Sequence, residues 1–149
     1  MQEIDSYFDS SFLVSLYTPD ANSAAAAAHI RHAIRPFPLA PFGELELINA
    51  IQLRLFRREI KAAQAMGALA DLASDTDSGL FSPVPATAAI YERGLELARR
   101  RTSALGTRTL DILHVAAALV LQAANFYTFD RRQARLARAE GLTPPVRIR

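Results

Sequence analysis

Tyr7-Phe8-Asp9-Ser10-Ser11-Phe12-Leu13-Val14-Ser15-Leu16-Tyr17 runs a strand, a turn and a helix together in quick succession. The apolar pair Tyr7-Phe8 reads as a buried strand. Asp9-Ser10-Ser11 ends it with short polar side chains of the kind that cap helices, Asp9 or Ser10 being the candidate N-cap. Phe12-Leu13-Val14 and Leu16-Tyr17 continue as a short helix until Thr18-Pro19-Asp20 breaks it. An acid just beyond the carboxyl end of a buried strand stands where open α/β sheets keep their sites.

The pattern recurs at the other end of the chain. Phe126–Phe129 is a second buried strand candidate, and Asp130 follows it. Arg131–Glu140 then reads as a helix closed by Gly141, with Val146-Arg147-Ile148 as a last short strand. Between these ends, 22–34 reads as an Ala-rich helix stopped by Arg35-Pro36. Pro36, Pro38 and Pro41 bracket an extended piece near Leu39. Glu44–Ile60 is periodic, with Leu47, Ile51 and Leu55 on one stripe. Lys61–Leu72 is a further helix, and Ala73–Gly79 a mostly polar loop. Leu80-Phe81 with Val84 suits a short strand. Residues 86–100 form an amphipathic helix, and Leu110–Ala124 is apolar almost all round, as a buried helix should be. Strands alternating with helices predict an α/β sandwich with a short, mainly parallel sheet of about four to five strands.

Composition is consistent with that. A chain of 149 residues that is 50% apolar fits one compact domain over 1–149. There is no Cys, hence no disulfide and no thiolate metal site. The N-terminus lacks a basic signal-peptide start, and no apolar run reaches the roughly 18 residues of a membrane span. A soluble, cytoplasmic chain without a membrane partner is therefore expected. Net charge is +2, but unevenly placed: residues 1–92 carry six basic and eleven acidic groups, residues 93–149 eleven basic and four acidic. All basic residues but Lys61 are Arg, whose planar fork of donors suits phosphate. A basic half suits an anionic partner such as nucleic acid or simply makes an Arg-rich surface.

Asp9 and Asp130 each, taken singly, read as helix caps. Glu46 and Asp111 lie near helix starts, where the helix dipole favours negative charge. Asp111 heads an otherwise apolar helix, so its carboxylate must be solvated, paired or metal-bound. As a set, the four acids can converge on one end of the sheet. Carboxylate oxygens are the preferred ligands of Mg²⁺ and Mn²⁺. Clustered carboxylates repel one another until a cation neutralises them. Ions held so can activate water for attack on a phosphodiester.

Four segments together resemble the motifs of the PIN-domain family. These are the opening stretch around Asp9, then Glu46-Leu47-Ile48-Asn49-Ala50, Leu110-Asp111-Ile112-Leu113-His114-Val115-Ala116, and Tyr127-Thr128-Phe129-Asp130-Arg131-Arg132. Each is weak alone; all four in order along the chain are specific. The subgroup most resembled is the VapC-type toxin of type II toxin–antitoxin modules. The resemblance implies an endoribonuclease dependent on Mg²⁺ or Mn²⁺, cutting tRNA or rRNA, a homodimer, and a small antitoxin that blocks the site. It implies Asp9, Glu46 and Asp111 as metal ligands and Asp130 as the fourth acid, with Thr128 and Ser10 assisting. The Arg groups Arg108, Arg131 and Arg132 are candidates for phosphate contact. The four-residue spacing to Ala50 selects Glu46 over Glu44, whose direction on the helix differs by about 200°. Asp5 precedes the first strand and is a decoy for Asp9.

The remaining candidates are weaker. His114 shares a helix face with Asp111 and reads as a hydrogen-bonded structural residue, with a metal-pair role as the alternative. Asp71, Asp75 and Asp77 lack the Gly and closing Glu of a calcium loop. No glycine-rich phosphate loop is present. Two further activities remain open: a PIN-like module that binds RNA or protein without cutting, and a nuclease of RNA processing outside a toxin module.

Overall fold

The computed structural model describes residues 4–148. It runs β1 (Ser6–Phe8), α1 (Ser10–Tyr17), α2 (Ser23–Ile30), β2 (Phe37–Leu39), α3 (Pro41–Phe56), α4 (Ala62–Asp77), β3 (Phe81–Pro83), α5 (Ala88–Leu105), α6 (Thr109–Val120), β4 (Asn125–Tyr127) and α7 (Arg131–Ala139). β1 pairs in parallel with β4, with Phe8 opposite Tyr127. β2 pairs in parallel with β3, with Phe37 opposite Phe81. The two pairs meet where Phe8 stands edge-on to Phe37, ring centroids 4.8 Å apart. Thr143 adds one parallel bridge beside Asn125.

Alternation along the strands divides the core. Successive side chains of a strand point to opposite faces. Phe8 and Tyr127 enter a cluster with Phe12, Leu47, Ile51 and Leu72, built on α1, α3 and α4. Their neighbours Tyr7 and Phe126 enter another with Ile90, Leu97, Val115 and Leu136, built on α5, α6 and α7. Helices thus cover both faces of the parallel strands, the expected sandwich, but in place of one sheet of about four to five strands there are two two-stranded sheets, β1–β4 and β2–β3.

Several boundaries differ from the expectations. α3 starts at Pro41, not Glu44, because proline at the first helical position gives up an N–H that has no partner there anyway. It ends at Phe56, since Arg58 takes a left-handed conformation (φ 61°) that turns Ile60 back into the core. The polar stretch 73–77 is helix, not loop. Thr76 Oγ1 bonds back to the Leu72 carbonyl at 2.9 Å, and the helix stops before Gly79 (φ 82°). α5 runs on to Leu105, where left-handed Gly106 ends it. The strand expected at 146–148 is absent; pairing stops at Thr143 because Pro144 and Pro145 have no N–H to donate. No helix among the described residues is long and apolar enough to cross a membrane.

Candidate metal centre

Parallel pairing of β1 and β4 delivers the first and last acids to the same end of the sheet. The Asp9 amide donates to the Tyr127 carbonyl at 3.1 Å, continuing the ladder by one step. Asp9 caps α1: Oδ1 accepts from the Phe12 amide at 3.0 Å and from Ser11 Oγ at 2.7 Å. Oδ2 accepts from Thr128 Oγ1. Burial drives the Asp9 pKa up to about 6, against the pull of the nearby His114 imidazole and of the hydrogen bonds from Thr128, Ser11 and Phe12. Asp130 caps α7 by accepting from the Arg132 and Gln133 amides at 2.7 and 3.1 Å. Its second oxygen stays free of the helix.

Glu46 comes from the second turn of α3, a turn later than the expected helix start implied. Its Oε1 lies 2.9 Å from His114 Nε2, and His114 Nδ1 lies 2.8 Å from the Tyr7 hydroxyl. Burial works to raise the Glu46 pKa. The contacts with His114 and Arg108 together outweigh it and hold the group below its ordinary value. Asp111 occupies the third position of α6 and reaches back to accept from the Arg108 amide at 3.1 Å.

All four acids line one open cleft of about 490 Å³. Arg108 stands among them: its Nε is 3.3 Å from Asp111 and its Nη2 3.5 Å from Asp130. Its side chain is 67% exposed, so the guanidinium can leave without unpacking the core. Among the described residues no three acidic or His side chains are yet drawn into a ready ligand cluster. The donor set nevertheless suits a hard divalent cation. It is all oxygen, it buries a carboxylate that burial destabilises, and Ser10 Oγ sits buried on the cleft wall without a hydrogen-bond partner.

The other expected residues divide. Ser10 lines the cleft. Thr128 is fully buried and acts on Asp9 from beneath, where it also accepts the Asp130 amide at 3.0 Å. Arg131 and Arg132 do not line the cleft; Arg132 reaches the Gly106 carbonyl at 3.5 Å. Ser11, which the sequence did not single out, joins the two halves of the site. It donates to Asp9 and accepts the Phe129 amide at 3.0 Å. Arg54 and Arg57 were also missed. They line the cleft from the end of α3, Arg54 in its last turn and Arg57 at its C-cap, where steps of three and four residues from Glu46 through Ala50 and Leu53 carry the signal. Arg54 is pinned by Asp20 at 2.7 Å. Asp5 lies at the far end of β1, accepting from the Asn125 side chain at 3.2 Å.

A family model described as PIN domain matches residues 6–139. No curated protein matches the chain significantly. Among solved structures, Mycobacterium tuberculosis VapC20, a sarcin-ricin loop cleaving toxin, superposes with a TM-score of 0.71 at 18% identity, covering 93% of this chain and 97% of that one. A toxin–antitoxin complex from Klebsiella pneumoniae gives 0.67 at 14% identity, covering 97% of this chain and all (100%) of that one. PAE2754 from Pyrobaculum aerophilum gives 0.62 at 17% identity, covering 91% and 86%. At these identities the likeness is one of fold.

Proposed function

The chain belongs to the PIN-domain family, and from that premise we propose that it is a Mg²⁺- or Mn²⁺-dependent endoribonuclease, the toxin of a toxin–antitoxin pair. The observation that carries this reading is that Asp9, Glu46, Asp111 and Asp130, from four separate elements, line one cleft. These four would hold the ion. Bound there, it would activate water and offset charge on the phosphate under attack.

The chain's own residues do the rest. Ser11 and Thr128 fix both oxygens of Asp9, so that the carboxylate is pre-oriented. His114 does the same for Glu46, anchored in turn on Tyr7. Arg108, exposed at the rim, can exchange its carboxylate contacts for an RNA phosphate once a cation has neutralised the acids. Arg57, exposed on the opposite wall, offers a second fork.

The toxin reading takes support from the fold shared with VapC20 and with the Klebsiella toxin–antitoxin complex. An antitoxin and a second copy of the chain are the partners that follow from it. An apolar strip with Leu45 (69% exposed), Leu53 and Leu110 beside the cleft supports a protein contact.

The test is cleavage of total tRNA and rRNA with Mn²⁺ and with EDTA, alongside induced expression in a bacterial host. Metal-dependent products and growth arrest are expected, and Asp9→Asn and Asp111→Asn should abolish both. Binding without metal-dependent products would assign a non-cleaving module. Full activity in both variants would sink the site.

A further inference from the structure

The cleft does not end at the acids. Asn22 and Phe129 on its wall also line a larger depression of about 940 Å³ between α2 and the C-terminal segment. Ile148, on the far wall of that depression, in turn lines a notch whose other sides are Arg131, Arg135 and Arg138. Three hollows thus share walls and form one path from the acids to the outer face of α7.

The chemistry along the path is not uniform. Its middle carries aromatic side chains: His29, half-buried and edge-on to Tyr127 at 5.8 Å, and Phe129, stacked on Phe12 at 5.3 Å. Its end carries charge. Arg131, Arg135 and Arg138 recur at helical spacing on one face of α7, all three exposed. Other arginines are spent on acids: Arg100 and Arg101 on Glu140, Arg93 on Glu96, Arg54 on Asp20. None of the three α7 arginines has an acidic partner among the described residues. From Arg131 to Arg138 the helix rises about 10 Å, enough to set the guanidinium groups along more than one phosphate.

We infer that this path is the binding track for an unpaired stretch of RNA on one side of the scissile phosphate, with its bases against His29 and Phe129 and its phosphates on Arg131, Arg135 and Arg138. The inference rests on the nuclease reading for the position of the cut. Aromatic walls suit splayed single-strand bases, which stack without regard to sequence. A row of unpaired guanidinium groups suits successive phosphates.

The test is fluorescence anisotropy on the full chain with a 5′-fluorescein 12-nucleotide RNA of mixed sequence. EDTA keeps the probe uncut. The R131Q/R135Q/R138Q variant should weaken binding ~30-fold and lower the salt slope by about 2, at ~0.7 for each phosphate of the single strand that is no longer neutralised. Arg135→Gln alone should cost several-fold. Arg99→Gln, the same charge change on exposed α5 surface off the track, should cost less than about twofold. Equal losses from Arg99→Gln and Arg135→Gln would overturn the track, leaving only a general charge effect. So would parental RNA affinity in the triple variant, even if that variant lost hold of an acidic protein partner, since the face would then belong to protein. The nuclease reading fails separately, as absence of Mn²⁺-dependent cleavage by the parent protein.

Discussion

The Tyr7 hydroxyl and His114 Nδ1 meet at 2.8 Å in the interior, although 107 positions separate them in the chain. Burial holds the Tyr7 pKa well above its ordinary value, with the charges of Asp9 and Glu46 adding to the effect. The hydroxyl therefore keeps its proton, and the contacts run unbroken from Tyr7 through His114 to Glu46. A strand of one layer thereby sets the orientation of a carboxylate on a helix of the other.

Tyr7→Phe keeps the ring stacked on Phe126 and removes only the donor. It leaves a buried imidazole nitrogen unsatisfied, at about 1–3 kcal/mol. Calorimetry should show a melting temperature lower by a few degrees at this chain length. Titration calorimetry should show Mn²⁺ affinity reduced by ~10-fold, as for other losses behind a ligand. Unchanged affinity would mean that Glu46 needs no anchor.

Asp9→Asn should separate stability from activity. Asparagine is as good an N-cap as aspartate, so α1 keeps its start. The amide also avoids burying a charge in a position only 4% exposed. In EDTA the variant should melt at or above the parental temperature while RNA cleavage falls below detection. A lower melting temperature would show that Ser11 and Thr128 stabilise the ionised form more than burial penalises it.

Arg108 competes for the acids with any cation that enters. Arg108→Ala should bind Mn²⁺ a few-fold more tightly in the absence of RNA, the modest effect expected of an exposed ion pair. Its RNA cleavage should nonetheless fall, because a phosphate loses its partner. Weaker Mn²⁺ binding would show that the guanidinium organises the carboxylates instead of displacing the ion.

Far from the cleft, Glu140 is clamped by Arg100 at 2.7 Å and Arg101 at 2.8 Å, tying the end of α7 to α5. Burial works to raise its pKa, but the two guanidinium groups overcome this and lower it below 4.5. A depressed folded-state pKa contributes stability that is present above the unfolded value and is lost as pH falls through the folded one. Glu140→Gln should therefore destabilise the protein at pH 7, by about 1 kcal/mol for a partly exposed pair. The difference should vanish in denaturant melts carried well below pH 4. A difference independent of pH would assign the effect to packing.

The strand-end acids are readable in the sequence because each carries a local signature: an apolar run, an acid, then a helix start. Glu46 and Asp111 are readable through their place against an apolar stripe. What escapes depends on contacts across the fold. Nothing near Ser11 announces that it will accept the Phe129 amide. Arg54 and Arg57 look like surface charges; only the packing of α3 against α1 sets its last turn and C-cap beside the acids. Arg131 and Arg132 stand close to Asp130 in sequence, but a helix turns 100° at each residue and carries them away from the cleft. The strand expected at 146–148 has suitable side chains, yet Pro144 and Pro145 deny the backbone its donors.

The pairing of Phe8 with Tyr127 also decides when the candidate centre is assembled. A slip of one residue would send Tyr7 and Phe8 to the wrong layers and turn Asp9 away from Asp130. The four acids come from positions 9, 46, 111 and 130, so no fragment released early in folding contains a working set. On the proposed nuclease reading, a chain in which β1 and β4 have not paired has its first and last acids apart and lacks an assembled centre.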